Sequence, residues 1–254
     1  LTIATSEPAI EFENVRKVFT AGRPVLDGFS LTVGPTETVA LLGPSGSGKT
    51  TALKLANRLA SPDSGVVRVF GRDVASEDPV ALRRRIGYVI QEAGLFPHWT
   101  VEENVETVPR LLGWDVETRR TRAAAALAMV NLPPGEFASR RPRELSGGQR
   151  QRVGVARALA ADPVLVLMDE PFGALDPIAR RALQKEFLAW KRALGKPVVF
   201  VTHDIAEAFR LADRVAVLHD GRLAQVGTPR EIRESPADAF VADFVADFVT
   251  EASP

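Results

Sequence analysis

The stretch Gly43-Pro44-Ser45-Gly46-Ser47-Gly48-Lys49-Thr50, with Thr51 behind it, concentrates residue types that hold phosphate. Its glycines carry no Cβ, so successive backbone N–H groups can turn toward one anion. The helix expected after them adds its free N–H groups and its positive dipole end. Lys49 is placed to reach the β- and γ-phosphates of a nucleoside triphosphate, and Thr50 to set its hydroxyl on Mg²⁺. The flanks fit this reading: residues 38–42 are a short apolar run, and residues 52–59 repeat apolar side chains at helical spacing.

Two carboxylates, Asp169 and Glu170, end a second apolar run at residues 164–168. Ligands of a parallel sheet gather beyond the carboxyl ends of its strands, so this pair is expected beside the glycine loop. Asp169 would hold the Mg²⁺ shell, and Glu170 would orient and deprotonate an attacking water. His203 follows a third run, residues 198–202, which puts it on the same rim, against the γ-phosphate or the lytic water. A plain surface histidine is the alternative. Gln91, after residues 86–90, would offer its amide to Mg²⁺ or to water.

Leu145-Ser146-Gly147-Gly148-Gln149 carries a second signal. Ser146 followed three residues later by Gln149 is a capping box, and Val153, Ala156, Arg157 and Ala160 continue the helical period. Gly147 and Gly148 leave the first-turn N–H groups unshielded, which makes another anion site on a helix end. One chain thus has two such ends but only one Lys49 and one acidic pair. A head-to-tail pair of chains resolves this, with each glycine loop facing the Ser146 end of the partner across a nucleotide.

The positioning elements can be read from periodicity. Residues 10–15 and 25–33 alternate apolar and polar as half-exposed strands, and residues 65–71 are expected to join them in a small antiparallel sheet. Residues 101–132 turn helical and are expected to end at Pro133-Pro134-Gly135. After Ser146, short apolar runs alternate with helices, the pattern of a parallel sheet covered on both faces. Asp220-Gly221 marks a hairpin turn before residues 222–226. The tail repeats Phe-Val-Ala-Asp from Phe240, so a helix would align Phe240, Phe244 and Phe248 in one stripe with valines beside it. That helix either packs on its own core or forms a dimer contact or domain junction.

With 254 residues, 45% hydrophobic and 25% charged, the chain is long enough for one large core or a core with a smaller lobe. Its 32 basic residues balance 32 acidic ones, so no overall charge argues for nucleic acid or an anionic membrane surface. Cysteine is absent, which excludes disulfides and thiol chemistry. No apolar run approaches the roughly 18 residues of a spanning helix, so the chain is not expected to cross a bilayer. It does not begin with Met, and the numbering is expected to start inside a longer gene product.

Over nearly its whole length the sequence resembles the nucleotide-binding subunit of ATP-binding cassette (ABC) transporters. GPSGSGKTT looks like the Walker A motif, Gln91 the Q-loop, LSGGQ the family signature and VLVLMDEP Walker B. Ala174-Leu175-Asp176 looks like the D-loop and His203 the switch histidine, all in the family's order. The resemblance implies an α/β P-loop ATPase with a mostly parallel sheet, an N-terminal antiparallel β subdomain and an inserted α-helical subdomain. Its boundaries would be an ATPase domain at 1–240, with the helical part at about 95–155, and a helical tail at 241–254. It implies ATP and Mg²⁺ as ligands, contacts to nucleotide from Gly43 to Thr51, from Ser146 to Gln149 and from Asp176, and adenine stacked on Phe19, where the family more often has Tyr. It implies a head-to-tail homodimer at the cytoplasmic face of the cell membrane, bound to transmembrane permease subunits and served by a solute-binding protein. Gly94-Leu95-Phe96-Pro97-His98-Trp99 is a candidate permease-docking surface, with Phe96 and Trp99 either forming its pocket or filling the lobe's core. The run IGYVIQEAGLFPHWTVEENVETVPRLLGW looks most like importers of quaternary amines such as glycine betaine, carnitine or choline. The other class to weigh is a soluble ABC ATPase acting on nucleic acid or the ribosome. Against it stand the short segment between Lys49 and Ser146, the single cassette and the absence of net charge.

Overall fold

The computed structural model describes residues 7–19, 22–173 and 175–251, with side chains through Ala246. Ala174 and the side chains of Phe248 and Val249, which figured in the D-loop and tail readings, lie outside the described residues. In chain order the elements begin with β1 (Ile10–Lys17), β2 (Leu26–Val33), β3 (Thr38–Leu42), α1 (Lys49–Ala56), β4 (Ser64–Val69) and β5 (Arg72–Asp73). Next come α2 (Pro79–Arg85), β6 (Ile86–Val89), α3 (Val101–Val105), α4 (Thr107–Leu111), α5 (Val116–Met129), α6 (Pro134–Phe137) and α7 (Gly147–Leu159). The chain continues through β7 (Leu165–Asp169), α8 (Pro177–Leu194), β8 (Val198–Thr202), α9 (Ile205–Leu211), β9 (Arg214–His219), β10 (Arg222–Gly227), α10 (Pro229–Glu234) and α11 (Ala239–Glu251). These elements divide into two compact units, one ending at Pro79 and resuming at Pro197, the other running from Val80 to Lys196.

The first unit holds the expected antiparallel sheet, in the order β2-β1-β4-β5. Ile10, Phe12 and Val15 of β1 are buried. The strict alternation breaks at Asn14, whose φ of 49° sits where the register with β2 shifts, and this extra residue returns Val15 to the core. Phe12 and Phe29 meet edge to face, 5.1 Å between centroids. The same unit holds a parallel set in which β3 lies between β8 and β9, with β10 antiparallel on β9. Every residue of β3 and β8 is buried, as strands covered on both faces require. Asp220 and Gly221 both have positive φ, 50° and 78°, and close the expected hairpin. The tail is helical as expected, with the valines innermost: Val241 and Val245 are buried, while Phe240 and Phe244 are half-buried.

In the second unit β6 and β7 pair in parallel from Ile86↔Leu165 to Val89↔Met168. Helix α7 packs on β6 and against α3, α5 and α8. Residues 101–132 are helical as expected, in three helices. Gly113 breaks the run at φ 75°, and α5 stops before Asn131 at φ 55°. Pro133-Pro134-Gly135 starts α6 as well as closing that run, because a proline in the first turn has no N–H to lose there. Arg152 of α7 grips Glu186 of α8 with two hydrogen bonds, 3.0 and 2.8 Å. On its inner side α8 carries Phe187, which meets Phe172 at 5.8 Å and Trp190 at 4.6 Å, both edge to face.

Phe187 is 1% exposed. Phe187→Ala should therefore cost about 3–5 kcal/mol in a denaturant titration; a loss below about 1 kcal/mol would contradict this packing.

Candidate functional site

Strand β3 delivers the glycine loop. Leu42, its last residue, pairs in register with Thr202 of β8 and Val217 of β9, so Gly43 and His203 leave the sheet on one edge, level with Leu218 of β9. At Gly43 the φ is 150°, and a Cβ would lie 2.2 Å from the Leu218 carbonyl oxygen. At Gly48, φ 101°, a Cβ would lie 2.6 Å from the carbonyl oxygen of Val25. Only glycine fits either place, and Gly48 is the N-cap of α1.

Within the loop, Lys49 is 6% exposed. Its ammonium donates to the carbonyls of Gly43 at 2.7 Å and Pro44 at 2.8 Å, so the cation is held inside the curl of the backbone. The hydroxyl of Ser47 is buried and has no hydrogen-bond partner among the described residues. A buried hydroxyl in that condition costs stability unless a ligand meets it. Thr51 is buried, Thr50 is half-buried, and Pro44, Ser45 and Gly46 are exposed at the mouth. A cavity of about 370 Å³ opens there, lined by residues 44–47, by Arg23 to Val25 and by His219 to Gly221. Phe19 is 59% exposed, with the Lys17 ammonium 5.3 Å from its ring centre. His203 is exposed on the same edge as Gly43. Thr202 before it accepts a hydrogen bond from the Asp204 amide at 3.0 Å. Asp204 in turn caps α9 through Glu207 N at 3.0 Å.

The second unit holds the acids and the second helix end. Strand β7 runs one residue further than the hydrophobic run suggested, so Asp169 is its last residue, 8% exposed. Glu170 is the first residue beyond, at φ 44°, an uncommon conformation for a side chain with a Cβ. Gln91 lies one residue past Ile90, which has already left β6, and its Nε2 donates to Glu170 Oε2 at 3.3 Å. Gln91 and Glu170 are thus brought together. Ser146 caps α7 as expected: its Oγ accepts from Gln149 N at 3.2 Å, and Gln149 Oε1 accepts from Ser146 N at 2.8 Å. Ser146 and Gly147 are exposed, Gly148 and Gln149 half-buried. Asp176 caps α8, accepting from Ile178 N and Ala179 N, both at 3.0 Å.

Phe96 and Trp99 meet at 4.5 Å between ring centroids, tilted by 41°, and Phe96 is 45% exposed. Fully buried Asn104 holds their turn by accepting from Phe96 N at 2.7 Å and donating to the Thr100 carbonyl at 2.8 Å. Sequence reasoning did not name Arg23, His219 or Asp220 as lining the loop's cavity. The rule that sites collect at strand ends could have found the last two, because β9 ends at His219.

A model of the family described as "ABC transporter" matches residues 26–173. The chain belongs to the ABC transporter family. It is similar to the glycine betaine/carnitine/choline transport ATP-binding protein OpuCA of Bacillus subtilis, 51% identical over 236 residues, which are 93% of this chain and 62% of that protein. It is also similar to the glycine betaine uptake system ATP-binding protein YehX of Escherichia coli, 48% identical over 92% of this chain and 76% of that protein. The chain spans about 62% of the length of the first curated ABC relatives it matches. Among solved structures it resembles the dimeric post-hydrolysis state of the ATP-binding cassette MJ0796 bound to ADP and Pi. That match has a TM-score of 0.78 and 36% identity, and covers 87% of this chain and 99% of that one. The ABC cassette fold read from the motifs, with its antiparallel and parallel sheets and its helical part, is therefore the fold of this chain. Among the described residues no helix is long and apolar enough to cross a membrane.

The electrostatics beside Asp169 can be tested directly. Burial first, and the Asp169 charge second, push the Tyr88 phenol from 10.0 up to about 12. The folded state favours the neutral phenol, so this group contributes stability that is complete below pH 10 and is lost as pH rises toward 12. Tyr88 is the only tyrosine, so ultraviolet titration of the native protein should show one midpoint near 12. A native midpoint near 10 would contradict the packing.

Proposed function

We propose that this chain is the ATP-hydrolysing subunit of an ABC importer, in which two copies bind ATP head to tail and couple its hydrolysis to solute uptake. The observation that carries the reading is the glycine loop itself. It is an anion cradle closed at both ends where no Cβ fits, with a lysine ammonium inside and an unmatched buried hydroxyl. Backbone N–H groups of residues 43–51 and the Lys49 ammonium would hold the phosphates, while Phe19 stacks on adenine through its exposed face. The donor set for a cation is all oxygen, namely the Thr50 hydroxyl, the Asp169 carboxylate and the Gln91 amide, which suits a hard ion such as Mg²⁺. When bound, Mg²⁺ supplies charge neutralisation of the phosphates.

Glu170 takes a proton from water as that oxygen bonds to the γ-phosphorus and the bond to the β–γ bridging oxygen breaks, yielding ADP and phosphate. Gln91, hydrogen-bonded to Glu170, orients that carboxylate, and His203 contacts the γ-phosphate or the water. Ser146, Gly147, Gly148 and Gln149 of the partner copy close over the same phosphates, with Asp176 at the junction. The exposed Phe96 and half-buried Trp99 form the docking surface for a transmembrane permease subunit, which holds the chain peripherally at the cytoplasmic face of the membrane. A solute-binding protein delivers the cargo, and no nucleic acid partner is involved. The relatives named for glycine betaine, carnitine and choline support a quaternary amine as the solute.

Two substitutions test this. Lys49→Ala should abolish ATP binding in calorimetry, and undiminished affinity would overturn the cradle. Glu170→Gln should retain ATP binding, lower turnover by about a hundredfold or more and accumulate a dimer on size exclusion with ATP. Brisk hydrolysis in that variant would remove Glu170 from the role of base.

A further inference from the structure

The 218–221 turn meets one end of the phosphate loop directly and reaches the other through Val25. At one end the Leu218 carbonyl sits where a Cβ on Gly43 would be, 2.2 Å away. At the other, Gly221 approaches Val25 so closely that a Cβ would lie 2.8 Å from the Val25 carbonyl oxygen. That same carbonyl oxygen is the atom that excludes a Cβ from Gly48. The Asp27 amide donates to the Gly221 carbonyl at 2.9 Å, and Arg23 pairs with Asp220 at 2.7 Å. The turn, residues 25–27 and the loop therefore form a closed ring of backbone contacts, and a shift of the turn displaces the loop.

What steadies the turn from outside is the C-terminal helix. The ring of Phe240 lies flat on His219, 3.7 Å between centroids and 5° from parallel, and Phe244 stacks behind it at 5.5 Å. Val241 and Val245, on the buried face of the same helix, anchor it in the core. The half-buried phenylalanines instead lead from the helix to a residue that lines the loop's cavity.

We propose that the C-terminal helix α11 is a positioning element of the phosphate loop, acting through the stack of Phe240 on His219, so that the seating of this helix sets nucleotide affinity. The inference rests on the reading of the loop as a nucleotide site. It gives the repeated Phe-Val-Ala-Asp tail a role that its amphipathic pattern alone does not.

The test has two arms on the full chain. In calorimetry with a non-hydrolysable ATP analogue, Phe240→Ala and His219→Ala should each weaken binding by about two- to tenfold. The double variant should be no weaker than the weaker single one, and Phe240→Trp should keep the affinity. In hydrogen exchange without nucleotide, the amides of residues 43–50 should exchange faster in Phe240→Ala than in the unsubstituted chain. Equal affinities, additive losses or unchanged loop exchange would overturn the proposal. If the unsubstituted chain binds no nucleotide, the functional reading fails instead, and the exchange arm still decides whether the helix positions the loop. If Phe240→Ala does not fold, His219→Ala tests the stack from its exposed side: faster loop exchange supports the proposal, and unchanged exchange overturns it.

Discussion

Close backbone contact at the carboxyl edge of the parallel strands is the constraint on which the rest of the first unit depends. A loop that binds phosphate through its own N–H groups must hold a shape that the free chain does not favour. Here that shape is held by carbonyl oxygens occupying the space where side chains would begin, Leu218 against Gly43 and Val25 against Gly48. The cost is conformational entropy at the glycines, on the order of 0.5–1 kcal/mol each. It is offset by the register of β3 between β8 and β9, which fixes where the strand ends lie. Lys49 then has one place to go, into the curl of carbonyls that the loop presents.

The residues proposed to carry the chemistry come from both units. The cradle, its lysine and His203 belong to one; Asp169, Glu170, Gln91 and the Ser146 helix end belong to the other. Each half is locally finished: Gln91 holds Glu170, and Ser146 and Gln149 satisfy one another across the first turn of α7. The first-turn N–H groups at exposed Gly147 and half-buried Gly148 are what such a finished half would offer to an anion. The ATP-binding cassette MJ0796, of the same fold, is dimeric in its post-hydrolysis state bound to ADP and Pi.

Much of this was legible in the sequence because local chemistry and tertiary context agree. Ser146 and Gln149 make a capping box that needs nothing beyond its own turn, and Asp220-Gly221 a hairpin. Residues 38–42 and 198–202 are buried throughout, and apolar but for Thr38 and Thr202, because both faces are covered. What escaped was of two kinds. Helix α10 carries a readable start, Thr228 capping Glu231 with Pro229 in the first turn, but its six residues are too few to display a period. The breaks within residues 101–132, the extension of β7 through Asp169 and the left-handed Glu170 depend on neighbours that no short window contains. The tail shows the limit most clearly. Its spacing aligned the phenylalanines, yet packing buried the valines and sent Phe240 onto His219, twenty-one positions earlier in the chain.

The central claim is that two copies share each active centre, and mixing of inactive variants tests it most directly. Lys49→Ala and Ser146→Arg proteins would each be assayed for ATPase activity alone and then combined in equal amounts. In a mixed head-to-tail dimer, one centre joins the intact loop of the Ser146→Arg copy to the intact helix end of the Lys49→Ala copy, so activity should return to about a quarter of the unsubstituted level. A mixture as inactive as its components would mean that each copy completes its own centre, and the shared arrangement would be wrong.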